Sequence, residues 1–324
     1  MSKFTDLAIA FLTLGVSMAV LAYASRYVIL AVENFMLFTR LSETSVGFAL
    51  LSVITSTPEL LVAVFAISAG APSLSVGDLL GSNIFNIGIV VGILMVTAGF
   101  LKECPEGLDE IADFLLLSSI IPLVLVVVKL PTGFIGLGLL LIFALSVYRE
   151  IKSPAVSTPI PMSEDSPRTT EKTTKRLLIV LKILMGTLVV LVAARFTVSS
   201  ALEITAVLGI PQIFIGALVV AFGTSLPELG LSIMAVKRGR MRLASANAIG
   251  SNLTNLTLIL GLVFLSSFFS PFSVGITSFF EIISFVLITS LIIWYHMIKG
   301  GDCRLVGIAL ISTYVIFQVT VILS

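Results

Sequence analysis

Ten apolar runs, most of them about 20 residues or longer, restrict this chain more than any other feature, because each matches the length of one helical bilayer crossing. They lie at approximately 7–30, 45–69, 75–100, 112–129, 131–149, 176–201, 210–236, 242–268, 274–298 and 303–323. The fourth and fifth are parted only by Leu130-Pro131-Thr132-Gly133, a turn sequence. Runs of this length, without the alternation of membrane strands, predict helices and exclude a barrel. Composition agrees: 57% of residues are hydrophobic and 11% are charged, far from the balance of a soluble domain. The fold class expected is therefore an all-α integral membrane protein with ten transmembrane helices. Its first span is too long for a signal-peptide core and lacks a persuasive cleavage site, so it is expected to be retained.

One polar interruption of any length occurs, at 150–175, where Ser-Pro, Thr-Pro and Ser-Glu-Asp-Ser-Pro precede mixed charge. It reads as a linker between two five-helix halves, 1–149 and 176–324. Basic residues concentrate at the linker and its edges (Arg149, Lys152, Arg168, Lys172, Lys175, Arg176), after helix 7 (Lys237, Arg238, Arg240, Arg242) and around the loop after helix 9 (Lys299, Arg304). Because Lys and Arg in short loops favour the cytoplasm, the linker is expected inside and both termini extracellular, in a multi-pass protein of the cell (plasma) membrane. Cys104 and Cys303 would then both face a reducing compartment, which argues against a disulfide. The net charge of +1 names no partner beyond the lipid bilayer, and nothing suggests nucleic acid.

Two of the runs contain residues that hydrocarbon disfavours. Ile54-Thr55-Ser56-Thr57-Pro58-Glu59 in the first half answers to Gly223-Thr224-Ser225-Leu226-Pro227-Glu228 in the second. The offset between them, 228 − 59 = 169, also superposes Arg26 on Arg195, Gly47 on Gly216, Gly81-Ser82-Asn83 on Gly250-Ser251-Asn252 and Asn86 on Asn255. An odd number of helices per half makes the second half enter the membrane from the opposite side. The architecture expected is two inverted five-helix repeats with discontinuous core helices and a site near the midplane. For the matching Arg and Gly positions, shared ancestry and close helix packing are sufficient explanations. For the glutamates they are not, since the insertion scale penalises each central carboxylate by about 2.5–3.5 kcal/mol.

Each proline lacks an N–H, so the carbonyl four residues back, at Ile54 or Gly223, loses its helical partner. Carbonyl, hydroxyl and carboxylate oxygens therefore gather within one turn, a ligand set suited to hard cations such as Ca²⁺ and Na⁺. Ser82 follows Glu59 by the same 23 residues that part Ser251 from Glu228, a hairpin length that returns the Gly-Ser-Asn segment to the depth of the glutamate. Ser82 and Asn86, like Ser251 and Asn255, are four apart on one helical face. Two glutamates balance one Ca²⁺, two protons, or approximately two or three Na⁺. An empty site of this kind is unfavourable, which favours exchange over uniport.

At these residues the chain resembles the cation/Ca²⁺ exchanger superfamily, most closely its prokaryotic Na⁺/Ca²⁺ exchanger branch. The repeats of that family carry Gly-Thr-Ser-x-Pro-Glu and Gly-Ser-Asn-x-x-Asn/Asp segments. The resemblance covers both halves and implies that helices 2, 3, 7 and 8 form the ion-binding core while 1 and 6 slide across it. It implies Glu59 and Glu228 as Ca²⁺ ligands, with backbone oxygens from Thr55 and Thr224. Ser56, Ser82, Ser225 and Ser251, with the carbonyls of Ser52 and Ala221, would complete Na⁺ sites, and Asn86 and Asn255 would lie at the centre. Three departures stand out. Ile54 replaces the usual Gly, Asn255 stands where such exchangers often have Asp, and Asp78 answers to Asn247 in the second half. Asp78 reads as an interfacial or entrance carboxylate.

The resulting expectation is a secondary active antiporter, not an enzyme, exchanging Ca²⁺ for Na⁺ with no cofactor and with a monomer sufficient. The hydroxyl pairs beside each glutamate supply neutral oxygens that Na⁺ needs and a proton does not, which favours Na⁺ over the alternative, H⁺-coupled exchange. A cation channel is the more distant alternative. A hydrolase built on Ser225 lacks a partner, because the one histidine, His296, sits beside Trp294 and Tyr295 and reads as part of an interfacial aromatic belt. Glu103, Glu106, Asp109, Glu110 and Asp113 read as a solvated acidic stretch, and Glu281 stands open between burial against a partner and snorkelling.

Overall fold

Where the apolar runs are described by the structure, a computed structural model, they are helical; the described residues are 2–39, 53–101, 109–127, 131–152, 169–237 and 241–323. They contain helices and turns and no strand. The first half begins with α1 (Ser2–Thr39), α2 (Thr57–Ser68) and α3 (Pro72–Phe85). A π-helical turn at Asn86–Val91 joins α3 to α4 (Gly92–Leu101), and α5 (Asp109–Val127) and α6 (Thr132–Lys152) follow. The second half opens with α7 (Thr169–Leu208), then the short α8 (Gln212–Ile215), a π-helical turn at Gly216–Val220, and α9 (Ala221–Thr224). Then come α10 (Leu226–Lys237), α11 (Met241–Thr254), a third π-helical turn at Asn255–Ile259, α12 (Leu260–Leu265), α13 (Ile276–Lys299) and α14 (Cys303–Leu323).

Among the described residues, eight helical segments are long and apolar enough to cross a membrane, and Thr57–Ser68 and Ala112–Leu123 are shorter apolar helices. These two fall in the second and fourth predicted spans; residues 45–52 of the second lie outside the described residues. At the ends of three described helices a glycine takes a positive φ, Gly300 (φ 69°) after α13 among them. Gly70 (φ 71°) follows α2 and Gly209 (φ 69°) follows α7, each in the left-handed conformation that a side chain disfavours and each trailed by a proline, Pro72 or Pro211.

Two packed clusters hold the helices together. The larger joins α3, its π turn and α4 to α11–α14, through fully buried Leu79, Leu80, Ile84, Ile87, Met95, Ile259, Val263 and Phe264. In the smaller, α1 and α7 interlock through Leu14, Leu21, Val28, Val190, Ala194 and Val198. Thr197 donates to Ser17 Oγ at 3.0 Å, while Gly186 lies against Val28. As numbering rises along α1 it falls along α7, so these two helices, the first of each half, run antiparallel.

The cysteine expectation is overturned. Cys303 is disulfide-bonded, and the one other cysteine in the chain, Cys104, lies outside the described residues. A disulfide needs two cysteines within bonding reach, a distance that charge patterning along the chain does not encode. His296 is buried with its Nε2 3.5 Å from Cys303 Sγ, and Trp294 Nε1 donates to Asp113 at 2.7 Å, so this end of α13 is tied to neighbouring helices.

Candidate cation site

Ser56 and Ser225 break their helices at equivalent points of the repeat. Their backbones, at φ −83°, ψ 15° and φ −88°, ψ 0°, depart from helical ψ values just before α2 and near the start of α10. Pro58 and Pro227 sit at the start of the new helices, where a missing N–H is tolerated. Glu59 and Glu228 follow in the first turns, near the positive ends of the helix dipoles.

Close crossing of α3 over the Gln212–Thr224 stretch brings the halves into contact. A Cβ on Gly81 would collide with the backbone of Ala217, and one on Gly216 with the carbonyl of Leu74, so only glycine permits this approach. The π turn at Asn86 packs against α11, and its equivalent at Asn255 packs against α3. Such turns are rare in helices and recur at functional sites.

Every sequence-predicted site residue that the structure describes is buried, and contacts join Ser56, Glu59, Ser82, Thr224, Glu228 and Ser251 into one cluster. Thr55, Ser56, Glu59, Ser82, Asn86, Thr224, Ser225, Glu228, Ser251 and Asn255 are all 0% exposed. Ser56 Oγ and Ser251 Oγ, from opposite halves, are 2.9 Å apart, and Ser251 reaches on to Glu228 Oε1 at 3.4 Å. Ser82 Oγ lies 3.2 Å from Thr224 Oγ1, again across the halves. Glu59 is within electrostatic reach of Glu228. The Ala221 carbonyl accepts from Thr224 Oγ1 at 3.3 Å and from the Ser225 N–H at 3.1 Å. Ser52 lies outside the described residues.

Asp78 belongs to the cluster, contrary to the surface role expected of it. It is 0% exposed, accepts from Thr224 Oγ1 at 2.9 Å, and its charge reaches both Glu59 and Glu228. The signal that could have found it is its spacing, one helical turn before Ser82 on the same face. Asn83 and Asn252 join the halves as well, a role that their motif spacing alone does not reveal. Asn252 Nδ2 donates to the Asn83 carbonyl at 2.9 Å, so two residues at equivalent repeat positions touch.

Many oxygens of this cluster lack partners. Both Glu59 oxygens, Asp78 Oδ2, Glu228 Oε2, Ser225 Oγ and both amide atoms of Asn86 and of Asn255 are buried without a hydrogen bond. Buried groups in that condition are strongly unfavourable unless a ligand satisfies them, and a hard cation is the ligand that an all-oxygen set accepts. Among the described residues no three Asp, Glu, His or Cys side chains group as a metal site, so a cation held here would draw on hydroxyl, amide and carbonyl oxygens as well as carboxylates.

The family model for the sodium/calcium exchanger protein matches residues 9–152 and 178–323, both halves of the chain. Over 131 residues, 40% of this chain and 37% of that protein, the sequence is 38% identical to the sodium/calcium exchanger MaX1 of Methanosarcina acetivorans. The fold superposes on crystals of the sodium-calcium exchanger NCX_Mj with a TM-score of 0.61 at 25% identity, covering 96% of this chain and 98% of that one. It also superposes on the H⁺/Ca²⁺ exchanger CAX with a TM-score of 0.71 at 19% identity, covering 97% and 87%, a likeness of fold. With its multi-pass helical fold and both halves matched, the chain belongs to the sodium/calcium exchanger protein family.

Proposed function

We propose that this protein exchanges Ca²⁺ for Na⁺ across the cell membrane by alternating access at the buried cluster. One observation carries the reading: hydroxyls from opposite halves meet in two pairs, Ser56 with Ser251 beside Glu228 and Ser82 with Thr224 beside Asp78, among buried oxygens without partners. Ca²⁺, the substrate, would take Glu59 and Glu228 with the backbone oxygens of Thr55 and Thr224. Na⁺ would use the hydroxyls of Ser56, Ser82, Ser225 and Ser251 and the carbonyls of Ser52 and Ala221, with Asn86 and Asn255 at the centre. In this reading ten helices form two inverted repeats, 1–149 and 176–324, joined by a linker at 150–175. The antiparallel course of α1 and α7 and the contact between Asn83 and Asn252 support that arrangement. The interlocked pair of α1 and α7 meets α2, α3 and the Gln212–Thr224 stretch through apolar side chains, Val62, Ala66, Leu74, Ile215 and Val220, the kind of surface across which the pair would slide.

Labelled Ca²⁺ uptake into proteoliposomes tests the reading. Uptake should require Na⁺ on the opposite side and respond to an imposed Na⁺ gradient. Uptake driven by a pH gradient and indifferent to Na⁺ would overturn Na⁺ coupling in favour of H⁺ coupling, and uptake needing no counter-ion would make the protein a channel.

A further inference from the structure

The two halves of the site are unequal. Under the offset that pairs Glu59 with Glu228, Asp78 falls on Asn247, a carboxylate against an amide. Asp78 is wholly buried, with Oδ1 bonded to Thr224 and Oδ2 without a partner. Thr224 Oγ1 simultaneously approaches Ser82 Oγ and the Ala221 carbonyl, at 3.2 and 3.3 Å. Three oxygens of three chemical kinds, carboxylate, hydroxyl and carbonyl, thus converge on one hydroxyl. The crossing is rigid there, because a Cβ on Gly216 would come within 2.8 Å of the Asp78 nitrogen. In the other half, Asn247 is 7% exposed and its Nδ2 has no bond. Hydroxyl pairing differs in the same sense: Ser56 bonds Ser251, whereas of their equivalents Ser82 turns to Thr224 and Ser225 Oγ is left unpaired.

We propose that Asp78, with Ser82, Thr224 and the Ala221 carbonyl, forms a subsite for one alkali cation that is stronger than its counterpart around Asn247. This inference rests on the Na⁺/Ca²⁺ exchange reading above. A buried carboxylate oxygen with no donor is strongly unfavourable unless a cation meets it, and a full charge with hydroxyl and carbonyl oxygens is what Na⁺ prefers. An amide offers a neutral oxygen at the equivalent place, so the second position binds more weakly. The third carboxylate also raises from two to three the positive charges that neutralise the cluster. Asp78 thereby determines how strongly Na⁺ competes, while Glu59 and Glu228 hold Ca²⁺.

The test is Na⁺-dependent uptake of labelled Ca²⁺ by proteoliposomes carrying the full chain, compared among wild type, Asp78→Asn, Asp78→Glu and the double variant Asp78→Asn/Asn247→Asp. Asp78→Asn should raise the half-maximal Na⁺ concentration about tenfold or more and lower the Hill coefficient for Na⁺, with half-maximal Ca²⁺ moved far less. Asp78→Glu, which keeps the charge but adds a methylene to a tight crossing, should shift the Na⁺ half-saturation less than Asp78→Asn does, and the double variant should regain part of the Na⁺ dependence by returning the charge to the other half. Should Asp78→Asn not transport, thermal melting of the purified protein gives the same answer: the rise in melting temperature with Na⁺ should shrink while that with Ca²⁺ persists. An Asp78→Asn protein with wild-type Na⁺ half-saturation, Hill coefficient and melting response overturns the subsite and leaves exchange standing. A wild type whose Ca²⁺ uptake ignores Na⁺ overturns the exchange reading itself, and the subsite with it.

Discussion

Asn252 donates its side-chain amide to the backbone carbonyl of Asn83 at 2.9 Å, although the two residues are equivalent members of a sequence repeat 169 positions apart. Equivalent residues that touch lie beside whatever relation superposes the halves, so this bond marks where they meet. It is one-sided, because Asn83 Nδ2 turns back to the Leu79 carbonyl at 2.6 Å.

Replacing Asn252 with Ala should therefore remove the side-chain bond across the junction, although the Asn83 carbonyl keeps the Asn86 N–H. A loss of about 0.5–1.5 kcal/mol is expected, read as a lower melting temperature in detergent, while Asn83→Ala, which keeps the bond across the junction, should lose less. Equal losses would show that the contact does not join the halves.

Glu59 presents two buried carboxylate oxygens with no hydrogen-bond partner. Glu59→Gln should abolish Ca²⁺ exchange, with uptake falling by about 100-fold or more, and Glu228→Gln should do the same. In the absence of cations Glu59→Gln should melt no lower than wild type, since a neutral amide is less unfavourable to bury than an unpaired charge. Normal transport by either variant would exclude a shared central site.

Gly81 sets the distance between α3 and the Gln212–Thr224 stretch, because any Cβ there meets the backbone of Ala217. Gly81→Ala should cost about 1–3 kcal/mol through overpacking and should weaken Na⁺ and Ca²⁺ binding together by moving Ser82. Melting and titration on one preparation check both effects.

Ile54 and Gly223 occupy equivalent positions, and the structure gives a reason for the difference on one side. A Cβ on Gly223 would press on the Met18 side chain of α1. Gly223→Ile should slow exchange, and Met18→Ala in the same chain should recover part of the rate; a double-mutant cycle measures that coupling. Additive effects would separate Met18 from the break.

Much of this was legible beforehand because hydrocarbon leaves a chain few options. Apolar runs located the helices, and an unexplained glutamate in such a run, met twice, located Thr55, Ser56, Glu59 and their equivalents. Less was legible where hydropathy is silent. Helices α1 and α7 run to 38 and 40 residues, beyond the predicted spans, since past the hydrocarbon a helix is extended by local propensity and packing. Asp78 was misread because a carboxylate with no twin in the other half looks like a surface residue until Thr224 is seen beside it. The Cys303 disulfide and the Asn83–Asn252 contact depend on tertiary distance, which spacing along the chain does not encode.

The π-helical turns at Asn86 and Asn255 carry a historical consequence. A π turn holds one residue more than the α turn it replaces, so in evolutionary terms it is a single-residue insertion that rotates everything downstream by about 100°. Both turns begin at the same asparagine of an alignment that needs no gap. One insertion, made before a duplication of the half, would account for both turns at once.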